Sequence, residues 1–133
     1  MLEITQDVYD ALVAHARRDH PDEACGILAR SATGEVRVIE MLNAARSPTF
    51  YEMDSGEVLR VMREIDDRDE ELYAIYHSHT ATEAYPSRTD ISIAGYPEAH
   101  YVLVSTRSPD EVEFRSFRIV DGEVTEEPVS LGS

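Results

Sequence analysis

The chain has 133 residues, 42% of them hydrophobic, and 27 acidic side chains against 12 basic ones give it a net charge of −15. That length suits one domain over residues 1–133, large enough to bury its core without disulfide staples. A field of this sign repels nucleic acid and anionic membrane surfaces, so neither is expected as a partner. All twelve bases are arginine, which excludes a Schiff-base or general-base lysine. The single cysteine, Cys25, excludes an internal disulfide and fits a reducing compartment. No run of about 18 apolar residues and no signal-peptide core is present, so the expected location is the cytoplasm. Oligomeric state is not legible in the sequence.

Leu2 to Ile4 reads as a short strand, and Thr5 as the cap of a helix reaching about Asp19, with Val8, Leu12, Val13 and Ala16 on one face. Pro21 ends that helix. Ala24 to Ala29 follows as a buried strand, the turn Ala32-Thr33-Gly34 leads into a strand over Glu35 to Leu42, and Asn43 to Thr49 is loop. Phe50 to Met53 reads as a brief strand, and Asp54-Ser55-Gly56-Glu57 opens a helix with Val58, Leu59, Met62 and Ile65 as its buried stripe. The charge run from Asp66 to Glu71 should end it in solvent. Leu72 to His79, Tyr101 to Ser105, Val112 to Val120 and Val124 to Leu131 read as strands, with a short helix from about Asp90 to Ala94 and a hairpin at Asp121-Gly122. Strands and helices mix without a βαβ rhythm or a phosphate loop. The expected fold class is therefore α/β, a mixed curved sheet flanked by helices.

The segment YHSHTATEAYPSRTD carries His77, His79, Ser87 and Asp90 in the pattern His-x-His-x7-Ser-x2-Asp, with Glu23 upstream at the mouth of an apolar stretch. Chance would give that pattern on the order of once in a thousand chains of this composition. Side chains two apart on a strand share a face, about 6.6 Å apart, so the two imidazoles can converge on one ion. Asp90 lies far enough along to fold back as a third ligand. Two histidines and a carboxylate suit zinc and leave its fourth position for water, whose pKa the ion lowers. Iron or manganese stay open.

Glu23 is the candidate base, taking the proton of the water and passing it to the leaving amine. Its alternative is a surface acid beside Asp22. Ser87 can donate to a developing oxyanion, cap the Asp90 helix, or do both. Cys25, embedded in Ala-Cys-Gly-Ile-Leu, reads as inert packing and not as a nucleophile. His15, His20 and His100 have no partner at ligand spacing, and the first two should be exposed. Tyr76, Tyr85 and the Thr80 to Glu83 segment stand near the motif as candidates to line a groove.

A glutamate before Ala-Cys-Gly, followed by His-Ser-His-x7-Ser-x2-Asp, resembles the JAMM (MPN-plus) metalloproteases, which cut amide or isopeptide bonds at the C-termini of ubiquitin-like proteins. The resemblance implies a JAMM/MPN-like (cytidine-deaminase-like) fold, zinc on His77, His79 and Asp90, acid/base work at Glu23 and an oxyanion contact from Ser87. The stretches HARRDHPDEACG, SPTFYEMDSGE, HYVLVSTR and RIVDGEVTEEPV extend it over nearly the whole chain to the actinobacterial Mec group of that family. That group implies hydrolysis of a Gly-Cys amide on a ubiquitin-like sulfur carrier of the CysO type with a Gly-Gly tail, releasing cysteine. A broader isopeptidase on ubiquitin-like modifiers and a non-catalytic carrier-binding module are the alternatives.

Overall fold

The structure is a computed structural model and describes residues 1–132. In chain order the elements are β1 (Leu2–Thr5), α1 (Gln6–Asp19), β2 (Cys25–Arg30), β3 (Val36–Met41), α2 (Ser55–Asp67), β4 (Glu71–His79), α3 (Arg88–Ile93), β5 (His100–Ser105), β6 (Glu113–Val120), β7 (Glu123–Glu127) and β8 (Val129–Gly132). Six strands form one sheet in the order β3-β2-β4-β5-β6-β7, antiparallel throughout except for the parallel pair β4 and β5. Strands β1 and β8 pair in parallel as a separate ribbon. The mixed sheet flanked by helices is the α/β architecture expected from the sequence.

Thr5 caps α1 by accepting from the Val8 amide at 3.2 Å. The apolar face of α1 packs with Leu2, Ile4, Leu28, Ala74, Tyr76, Val102 and Val104 on one side of the sheet. On the other side α2 covers Cys25, Ile27, Ala29 and Met41, while Ile91 and Ala94 of the α3 region reach Ile75, Tyr101 and Ile119. Strand β4 therefore runs through the middle of two layers. Its register against β2 shifts between Leu28 and Ala29, so that Leu28 faces Ala74 while Ala29 faces Leu72. This bulge at Tyr73 changes the alternation and sets which face every later residue of β4 presents. Beyond it Ala74 and Tyr76 face α1, whereas Ile75 joins the α2 and α3 side.

Several expectations are corrected. Phe50 to Met53 is not a strand; Asn43 holds that segment by side-chain hydrogen bonds, so it needs no ladder partner. The buried residues of α2 are Val61 and Ile65, with Val58 and Met62 packed at their flank, and Leu59 stays 52% exposed because it falls outside the 58-61-65 row. Within the acidic run the Glu70 side chain is only 4% exposed, bracketed by Arg37 at 2.9 Å and Arg68 at 3.3 Å. The segment from Val124 to Leu131 is two strands, because Pro128 cannot donate to the ladder and its carbonyl turns to accept from Leu2. The Asp121-Gly122 hairpin forms as expected, with positive φ at both residues.

His15 is buried, where exposure was expected. It lies on the apolar face of α1, and its Nδ1 is 2.7 Å from the Tyr76 hydroxyl and its Nε2 3.1 Å from Asp19. Gly26 makes room for this pair, since a side chain there would run into the Tyr76 ring. His20 is exposed, and His100 is buried against Glu127 at 2.6 Å, at the opposite end of β4 from His79.

Candidate metal centre

His77 and His79 end β4, each paired on the parallel side to β5. Past the bulge both project to the α2 and α3 side, as two residues of one strand parity must. There the Asp90 Oδ2 atom lies 3.1 Å from His77 Nε2 and 3.0 Å from His79 Nε2. The three side chains are buried, and a ligand atom from each falls within 4.8 Å of the others. Asp90 is delivered by α3, whose N-terminus is a closed capping box: Ser87 Oγ accepts from the Asp90 amide at 3.1 Å, and Asp90 Oδ2 accepts from the Ser87 amide at 2.9 Å. The helix cap and the third vertex of the triad are thus one side chain.

The donor chemistry fits a metal ion. His77 is 3.1 Å from the carboxylate without hydrogen-bond alignment, and neither of its ring nitrogens has a partner among the described residues although the residue is only 2% exposed. Leaving a buried polar group unmet costs about 1–3 kcal/mol, which a cation at Nε2 would offset. His79 donates Nδ1–H to the Glu83 carbonyl at 2.9 Å and Nε2–H to Asp90 Oδ2 at 3.0 Å, so Nε2 is the nitrogen that can turn to an ion once that proton is lost. Burial holds His77 below the ordinary imidazole range. Burial also pushes His79 down, but Asp90 and the Glu83 carbonyl outweigh it and raise its pKa. For Asp90 burial acts upward, and the two imidazoles overcome it and keep the carboxyl far below its usual value.

Glu23 sits just before β2, 3% exposed, and its Oε1 has no partner among the described residues. Burial, with Asp90 adding to it and His79 opposing, pushes the carboxyl up to about 7. Its backbone is clamped on both sides, since its amide donates to the Ser47 carbonyl at 2.9 Å and its carbonyl accepts from Asn43 Nδ2 at 3.0 Å. Ser78, between the two histidines, faces away from the triad, and its Oγ accepts from the Ala24 amide at 2.7 Å. Ser87 is exposed, and with Oγ serving as the cap its O–H is left to donate outward.

Sequence reasoning missed the loop between β3 and α2. Buried Asn43 uses its whole amide there: Nδ2 also donates to Phe50 O at 3.1 Å, and Oδ1 accepts from the Ala45 and Glu52 amides at 3.0 Å each. The loop so fixed stacks Tyr51 on His77 with ring centroids 4.4 Å apart, and offers the Pro48 carbonyl to Thr80 Oγ1 at 2.8 Å. The one available signal was an asparagine among apolar neighbours in MLNAA. Tyr76 turns to the α1 layer and cannot line a groove at the triad, whereas Tyr85 lies 41% exposed against Phe117.

Residues 5–120 match the family of prokaryotic homologs of the JAB domain. The chain belongs to that family. It is 62% identical over 133 residues to a CysO-cysteine peptidase of Mycobacterium tuberculosis, covering 98% of this chain and 91% of that protein. It is 31% identical over 113 residues to a desampylase of Haloferax volcanii, covering 78% and 80%. Among solved structures, a JAB1/MPN domain protein of Archaeoglobus fulgidus superposes with a TM-score of 0.61 at 18% identity over 97% of this chain and 99% of the other, a likeness of fold.

Proposed function

We propose that this JAB-family chain is a zinc-dependent hydrolase that cuts the Gly-Cys amide between the Gly-Gly tail of a ubiquitin-like sulfur carrier of the CysO type and cysteine, in the cytoplasm. The observation that carries the reaction class is the convergence of His77, His79 and Asp90, with the charges of His79 and Asp90 acting on a buried Glu23 whose Oε1 has no partner among the described residues. The substrate rests on the 62% likeness to a CysO-cysteine peptidase. His77, His79 and Asp90 would hold the ion, and zinc bound there would supply a Lewis acid that makes the attacking water more acidic.

The rest falls to the chain's own groups. Glu23, held near neutrality by burial, takes a proton from the attacking water and returns it to the cysteine amine as the amide breaks. The Ser87 hydroxyl, anchored at the α3 cap, donates to the carbonyl oxygen as negative charge builds there. Asn43 and Ser47 hold the Glu23 backbone still while its side chain shuttles the proton.

The deciding experiment supplies the zinc-loaded protein with a carrier-cysteine adduct and measures free cysteine. Release is expected, and its absence sinks the reading. The likeness to a desampylase favours a second reading, a broader isopeptidase on ubiquitin-like modifiers. Cleavage of lysine-linked conjugates at a rate matching the cysteine adduct would favour that one.

A further inference from the structure

A cavity of about 520 Å³ opens where the C-terminal end of α1 meets the ends of β4 and β5. Its walls carry Arg17, His20 and Arg107 with the hydroxyl residues Thr80, Thr106 and Ser108, and no carboxylate. In a chain with 27 acidic residues and 12 basic ones that is a local inversion of charge. Four other surface cavities each include at least two acidic residues: Glu3 and Glu35 in one, Glu40, Asp54 and Glu57 in another, and Glu71 with Glu98 and Glu64 with Asp67 in the remaining two.

The groove is also built into the strands of the triad. The Thr106 amide donates to the His79 carbonyl at 2.9 Å, and Thr80 follows His79 directly in the chain. His20 Nδ1 meets Thr106 Oγ1 at 2.8 Å, tying the end of α1 to the same place. Arg107 is held by Glu113 at 2.6 and 3.1 Å, which fixes its guanidinium but leaves its charge compensated. Arg17 makes no ion pair among the described residues, unlike its neighbour Arg18, which reaches Glu40 at 2.6 Å. The uncompensated cation of the groove is therefore Arg17.

We propose that this groove is a carboxylate-binding subsite for the substrate, with Arg17 as its principal donor. The proposal rests on the hydrolase reading only for the identity of that substrate. Two carboxylates are available in such a substrate: the α-carboxylate of the leaving cysteine and acidic side chains on the carrier body. A guanidinium binds either by paired N–H donation, and in a partly open groove the interaction acts on encounter and affinity while leaving the chemical step alone.

The test measures KM and kcat at low salt for three substrates: the carrier-cysteine adduct, a tail peptide ending in Gly-Gly-Cys with a free carboxylate, and the same peptide as its C-terminal amide. Arg17→Glu and Arg17→Gln are compared with Arg63→Glu. Arg63 is exposed on α2 beside a different cavity, so its reversal changes the net charge as much as Arg17→Glu does without touching the groove. Arg17→Glu should raise KM about three- to tenfold with kcat kept, and the gap to wild type should shrink as salt screens the groove. A rise for the adduct and the free-acid peptide but not the amide assigns the groove to the leaving carboxylate. A rise for the adduct alone assigns it to the carrier. Equal effects of Arg17→Glu and Arg63→Glu, or none with any substrate, overturn the proposal. Binding is read separately by amide shifts in the metal-free protein, where nothing is cut. Shifts at Thr106 and Arg107 on adding the adduct or free-acid peptide, weakened in Arg17→Glu, support the subsite; their absence overturns it. Failure of the zinc-loaded wild type to release cysteine sinks the hydrolase reading alone.

Discussion

Glu23 combines two properties that separate easily by substitution: burial that raises its pKa and an oxygen that no group among the described residues satisfies. Glu23→Gln keeps the shape and removes the proton acceptor. Because the carboxylate makes no ligand contact in the triad, the variant should bind a full equivalent of zinc while kcat falls about 10²- to 10⁴-fold. Metal analysis beside a cysteine-release assay checks this, and full turnover would show that another group is the base. Asn43 should act through Glu23 without touching substrate. Asn43→Asp retains an acceptor for the Ala45 and Glu52 amides but turns the donors to Glu23 O and Phe50 O into opposed oxygens. The expected result is a loss of about 1–3 kcal/mol in a urea titration and a roughly tenfold lower kcat, with zinc content unchanged. A kcat equal to wild type would separate the loop from catalysis.

At the scale of elements, the parts of the centre that local rules govern were legible and the parts that tertiary partners govern were not. Placing His77 and His79 on one face needs only the two-residue period of a strand, and Ser-x-x-Asp announces a helix cap before any fold is known. The 43–53 loop has no such period; its shape follows from one buried amide whose partners lie up to 20 residues away. The same holds for His15, which fits the apolar face of α1 only because the Tyr76 hydroxyl, 61 residues on, comes to meet it. Pro128 could have been read as a break in the last strand, but its destination beside β1 is a long-range fact. Near that break Glu127 fastens four segments, accepting from the N-terminal amine at 2.9 Å, His100 at 2.6 Å and Ser116 at 2.8 Å. Burial pushes the Glu127 carboxyl up, yet these donors outweigh it and lower its pKa below 4.5; burial likewise holds His100 below 6.5 despite its partner. Both groups bind protons more readily when unfolded, so their stabilisation is complete above pH 6.5 and is lost as the pH falls, through His100 first and Glu127 later. Glu127→Gln should cost about 1–3 kcal/mol at neutral pH and flatten the acid limb below 4.5, as read from urea midpoints across pH. An acid limb identical to wild type would remove this clasp from the account.

The whole molecule carries −15, and two of its carboxylates, Glu23 and Asp90, lie at the buried end of β4. A divalent cation there meets favourable charge at both ranges and ties β4 to α3, so it should stabilise the fold as well as serve the reaction. An ion that binds only the folded state at about a thousand times its Kd adds about 4 kcal/mol. For a domain of this size that corresponds to roughly 10–20 °C in Tm. Scanning calorimetry with and without zinc reads the shift directly, but the wild type alone would not say where the ion sits. His77→Ala should abolish the rise, at the added cost of an emptied core position. Asp90→Asn is the sharper variant, because its amide oxygen can still accept from the Ser87 amide and keep α3 capped while removing the anionic ligand. Its zinc-free Tm should fall, since the imidazoles lose their anionic partner, and its zinc-dependent rise should largely disappear. If Asp90→Asn gained as much from zinc as the wild type, the stabilising ion would lie elsewhere on the acidic surface, and the triad would lose its claim to it.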